Sequence, residues 1–118
     1  MGCDIHIFIE YRKSNQNWSS DGEYDYRRNY YTFALMADVR NNGMVKPISK
    51  PRGLPEDVNE KTNHGLSSYH SLSWLTFEEF ENIESELWCC YDESLVHKKA
   101  KDLIEKDFEA RIVFGFDN

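Results

Sequence analysis

The sequence is short of positive charge. Fourteen lysines and arginines face twenty-one aspartates and glutamates, a formal net charge of −7 over 118 residues. A domain that grips long DNA or RNA by its phosphates needs a basic face, so this balance argues against that function. A small anionic ligand stays open, because a few arginines in one pocket suffice locally. Cysteine is scarce as well. Cys3, Cys89 and Cys90 are odd in number and show no C-x-x-C spacing, which excludes a disulfide framework and a zinc ribbon. The adjacent pair reads as reduced thiols of a cytosolic protein, since a disulfide between neighbours is strained. No apolar run approaches the ~18 residues of a membrane helix, and no secretory leader is expected before the first strand. Met1-Gly2-Cys3 invites a myristoylation reading. His6 stands where that motif wants Ser or Thr, so the reading is rejected. Walker A, G-x-G-x-x-G and G-x-S-x-G motifs are all missing. Proline is confined to Pro47, Pro51 and Pro55, which predicts an extended or turning segment there.

What is present is organised around residues 2–11. Cys3, Ile5, Ile7 and Ile9 alternate with Asp4, His6, Phe8 and Glu10, the period of a strand. The first set is a core face, and the second opens with Asp-x-His. A ragged hairpin return is expected after Trp18, with Ser20-Asp21-Gly22 as a turn signal. Asn29 is expected to cap a helix over residues 30–40, ended by Asn42-Gly43. Pro55-Glu56-Asp57 is expected to open a short helix that His64-Gly65 closes. A strand is expected over residues 67–74. Thr76 and Glu79 have capping-box spacing for a helix carrying Phe77, Phe80, Ile83 and Leu87 on one side, with Glu78, Glu79, Glu81 and Glu86 on the other. Asp92 is expected to cap a helix running to Phe108. Residues 110–118 alternate again, Ile112, Phe114 and Phe116 against Arg111, Val113, Gly115 and Asp117. One α+β domain follows, covering residues 1–118. Its sheet is small and mostly antiparallel, the N- and C-terminal strands are central, and two to four helices pack on it.

Two constellations could carry chemistry. Asp4 and His6 share a strand face and could hold zinc or manganese, with His70 as third ligand and His64 or Asp117 as further supply. With no H-x-H or H-E-x-x-H spacing, the simpler reading comes first: Asp4 accepts from backbone or tyrosine hydroxyls, and His6 is a satisfied, half-buried histidine. Arg28, Asn29 and Tyr30 gather a cation, an amide and a ring at a helix start. Arg52 and Arg111 sit beside turns or strand starts, and guanidinium is the preferred fork for phosphate. Salt bridges to the many carboxylates are the alternative fate of each arginine. Trp74 could stack a base. His97 among Lys98, Lys99 and Lys101 reads as a solvated helix face.

The blocks MGCDIHIFIE, RRNYYTFALMADVRN, PISKPRGLPEDV, SWLT and RIVFGFDN together resemble a family of small phage and prophage proteins, end to end. In size, acidity and setting these are similar to Thoeris anti-defence sponges, which hold cyclic ADP-ribose-type signal nucleotides uncleaved. The resemblance implies a nucleotide-binding protein without a cofactor, in the cytoplasm of an infected or lysogenic bacterial host. Its ligand residues would be Arg28, Asn29, Tyr30, Arg52, Trp74, Arg111 and Asp117, and a homo-oligomer would build the pocket. The rival is a metal-dependent phosphodiesterase or nuclease using Asp4, His6 and His70. A Gly-His-x-His block would recommend it, but Leu72 replaces the second histidine. A third reading is an acidic inhibitor or DNA mimic docking through the helix around Glu78–Glu86.

Overall fold

A computed structural model describes residues 2–118. Four strands form one antiparallel sheet: β1 (Asp4–Arg12), β2 (Ser19–Tyr24), β3 (His70–Thr76) and β4 (Glu109–Asp117), in the order β2-β1-β4-β3. The terminal strands are therefore central, as their apolar alternation requires. Ile5, Ile7 and Ile9 lie opposite Phe116, Phe114 and Ile112 in turn, so the middle of one sheet face is wholly aliphatic and aromatic. Helices α1 (Tyr30–Ala37), α3 (Phe77–Leu87) and α4 (Leu95–Glu105) bury Phe33, Met36, Phe80, Ile83, Val96 and Ala100 against that face.

The second face is also covered, and so Phe8 and Glu10 are as buried as the isoleucines. Helix α2 (Glu60–Leu66) and the chain around Leu54 lie over it, packing Leu66, Leu72 and Trp74 around Phe8 and Val113. Gly65 is required here: a Cβ at that position would stand 2.2 Å from Phe8 Cζ.

Several boundaries differ from the sequence expectation, each for a local reason. Asn29 caps α1 and accepts from Thr32 N–H at 3.2 Å, but the helix stops at Ala37 rather than Arg40. Asp38 turns left-handed (φ 61°), a conformation that short polar side chains tolerate, and Asn41 Nδ2 donates to its carboxylate at 2.8 Å. Pro55 opens only a turn. Helix α2 begins later, where Asn59 caps it and donates its backbone N–H to Glu10 Oε2 at 2.9 Å. It runs through His64 and Gly65 to Leu66. Strand β3 starts at His70 because Ser67 and Tyr69 complete the turn after α2. A bulge between His70 and Ser73, with Ser71 at φ 54°, takes His70 out of line with Leu72 and Trp74. Thr76 and Glu79 form the expected capping box of α3. Ser94, not Asp92, caps α4, which ends at Glu105.

Candidate functional site

The second sheet face divides into three zones along β1. At the start of β1, His6 lies between two carboxylates: Nδ1 is 2.8 Å from Glu23 on β2 and Nε2 is 2.7 Å from Asp117 on β4. Tyr69 stacks on the imidazole at 4.0 Å, the rings 6° from parallel. Burial alone would lower the His6 pKa, but the two carboxylates outweigh it and raise the value above the usual 6.5. Asp4 takes a two-pronged bond from Arg28, Nε at 2.9 Å and Nη2 at 3.0 Å, which holds its carboxyl below the ordinary range. His70 is engaged differently, by Ser71 Oγ and Asn118 Oδ1. Asp4, His6 and His70 thus share one end of the sheet, each with partners of its own. Among the described residues no three His, Cys, Asp or Glu side chains are grouped to hold a metal ion.

The middle zone is the apolar layer of Phe8, Val113, Leu66 and Leu72. Beyond it Glu10, fully buried, meets Arg111 from the neighbouring strand, at 2.8 Å to Nε and 2.7 Å to Nη2. Arg111 Nη1 also donates to Asp57 at 3.0 Å. Desolvation, the largest single influence, would raise the Asp57 carboxyl, but the bond and charge of Arg111 together with the Trp18 bond outweigh it and keep the group low. The Arg111 guanidinium lies 3.9 Å from the centre of the Trp18 ring, and that of Arg12 4.4 Å from it. Trp18 Nε1 donates to Asp57 at 3.0 Å. Next to this group Arg52 forks Glu79 at 2.8 Å on both prongs, donates to the Trp74 carbonyl at 3.0 Å and lies 5.0 Å from the Trp74 ring. The Arg52 fork pulls the Glu79 carboxyl down to about 2.

Two adjoining cavities open at this end, of about 440 Å³ and about 310 Å³, sharing Arg12, Trp18 and Asp57. Trp74, Arg111 and Phe77 line the larger one. Its volume falls in the ~300–1,000 Å³ range of small-molecule sites.

The expected ligand residues therefore fall into two groups. Trp74 and Arg111 line the cleft, and Arg52 lies against Trp74 and Glu79 without lining it. Arg28, Asn29, Tyr30 and Asp117 belong to the other end of the sheet. Asn29 serves as a helix cap, and the Tyr30 hydroxyl accepts from Cys3 N–H at 3.1 Å. Arg28 and Arg111 pair with Asp4 and Glu10, six strand positions or roughly 20 Å apart, too far to fork one diphosphate together. The acidic face of α3 is partly engaged, while Glu78 and Glu86 are exposed. Glu79 holds Arg52 and Glu81 holds His97, while Glu84 is buried and accepts from Tyr26 Oη and from Ser94 N–H. His97 itself is buried between Glu81 and Glu93, against Phe77 and Trp88, not solvated. Trp18, Arg12, Glu23 and Tyr69 are site residues that the sequence reading did not select. One signal for the buried pair was present: setting the terminal strands antiparallel with Asp4 opposite Asp117 puts Glu10 opposite Arg111.

No family model, curated protein or solved structure matches the chain.

Proposed function

We propose that the protein binds a small phosphorylated nucleotide in the Trp18–Trp74 cleft and holds it without cleaving it. The observation that carries this reading is the convergence of two indoles and two guanidiniums, Arg12 and Arg111, on one cavity of nucleotide size. Asp57, Glu78 and Glu109 also line it, so an incoming phosphate must compete with carboxylates. The competition is mild at Arg12. Its partners Glu109 and Asp57 are more than half exposed, and such surface pairs are worth about 0–1 kcal/mol. Swinging Arg12 onto a phosphate uncovers indole surface of Trp18 for a base at the same time. Arg111, fixed by buried Glu10, is the rigid wall against which the ligand rests. The phage resemblance supplies the class of ligand and the purpose, sequestration of a signal nucleotide inside an infected cell. A second copy of the chain closing the cleft belongs to the same proposal.

The test is incubation with cyclic ADP-ribose-type nucleotides, removal of unbound ligand, heat denaturation and chromatography. Intact nucleotide released only on heating supports the reading. New products would replace it with hydrolysis at the Asp4, His6 and His70 end, and metal analysis for zinc or manganese would then follow. No retained nucleotide would leave docking on a host protein.

A further inference from the structure

Helix α3 runs into a turn that presents Cys89 and Cys90 side by side, both free and exposed. The turn is ordered by its own backbone: the N–H groups of Cys90 and Tyr91 both donate to the Leu87 carbonyl, at 2.9 and 2.8 Å. The two sulfurs are 3.3 Å apart, and the Cys89 thiol points at the Glu86 carbonyl at 3.7 Å. The Cys90 thiol is pushed up by the hydrogen bond and charge of its neighbour Cys89.

A disulfide is the wrong bond for this geometry. It would need the sulfurs at about 2.05 Å, and Cα atoms joined by one peptide are only ~3.8 Å apart, below the usual ~4.4–6.8 Å. An atom placed between the sulfurs needs no such closure. With bonds of about 2.3 Å, as for a thiolate-bound metal, a gap of 3.3 Å sets the angle at that atom near a right angle. A tetrahedral ion prefers a wider angle, whereas a pyramidal trivalent centre is suited to it. Trp88 and Tyr91, 42% and 46% exposed, flank the pair in sequence, Trp88 packed edge-on to His97 and Tyr91 under the Arg27 guanidinium.

We infer that Cys89 and Cys90 form a bidentate site for a trivalent aryl arsenical. Each thiol gives up its proton and forms one S–As bond. The arsenic-bound oxygen leaves with both protons as water. Arsenic stays trivalent, so no oxidant or reductant is consumed.

The probe is phenylarsine oxide added to the full native chain. One equivalent should be retained, two accessible thiols should disappear together, and buried Cys3 should be untouched. The adduct should survive excess monothiol and be stripped by a dithiol. Cys89→Ser and Cys90→Ser should each weaken retention by at least about a hundredfold, the effective-concentration gain of a second linked contact. Both variants should melt as wild type because both side chains are exposed. Retention by either single variant, release by monothiol, or two arsenicals per chain would overturn the assignment.

Discussion

At the scale of single residues, burial sorts the arginines. Arg28 and Asp4 meet in water, so Arg28→Ala should melt as wild type. Arg111 is the opposite case, since removing it strands the fully buried Glu10 carboxylate. Breaking a buried pair costs about 3–5 kcal/mol, so Arg111→Ala should lose about that much stability by urea titration. The double change Glu10→Gln, Arg111→Met should recover a large part of it. A recovery of nothing would mean that Arg111 acts chiefly through Asp57 and Trp18. His6 gives a pH signature. Its folded pKa lies above the ordinary 6.5, so folding takes up protons there. Its contribution is complete below pH ~6.5 and is lost as the pH rises through the folded value. His6→Gln should therefore flatten the melting-temperature profile as the pH rises above 6.5. Glu79 works in the other direction: with a folded pKa of about 2 against 4.5, its contribution is present above pH 4.5 and lost as the pH falls toward 2.

At the scale of elements, α2 is the piece that turns a one-sided sheet into a two-sided one. Its seat is the flat ring of Phe8 under Gly65. Gly65→Ala would gain helix propensity but must push that ring or the helix aside, so a net loss of about 1–3 kcal/mol is expected from thermal melts. An unchanged or higher melting temperature would show that α2 shifts freely on the sheet. This helix also marks where sequence reading ran out. The strands, the Asn29 cap and the Thr76–Glu79 box were legible because each rests on residues a few positions apart. The start of α2 was not, because Asn59 is held by Glu10, forty-nine residues away. For the same reason Phe8 and Glu10 read as a solvent or ligand face: period-two alternation separates two faces and says nothing of what covers the second. The cleft was half legible. Trp74 and Arg111 carry the right chemistry in the sequence, but their meeting with Trp18 and Arg12 depends on strand register and on the chain between Pro55 and Asn59.

At the scale of the whole molecule, the cleft and the His6 bridge stand at opposite ends of one face, with the Phe8 layer between them. Calorimetry with the signal nucleotide should give the weakest binding for the cleft variants. Arg12→Ala should lose about ten- to a hundredfold, the worth of one charge-assisted bond of roughly 1.5–3 kcal/mol, and Trp18→Ala a comparable factor from lost stacking. Arg28→Ala should bind as wild type, and a loss there would move the ligand to the other end of the sheet. Light scattering at tens of micromolar tests assembly: a closed dimer is the expected form, and a monomeric mass both with and without nucleotide would remove the second copy from the proposal. The nine-residue ladder between β1 and β4 has a consequence for the life of the chain before it is folded. The sheet's two middle strands lie about a hundred residues apart in sequence, so the emerging polypeptide cannot build its centre until β4 has left the ribosome. Until then the Ile5–Ile7–Ile9 stripe has only β2 beside it, lacks the Phe116, Phe114 and Ile112 that face it across the ladder, and is a natural client for holding chaperones. A nascent chain halted before Glu109 should therefore be cut freely by protease, and one extended past Asp117 should resist.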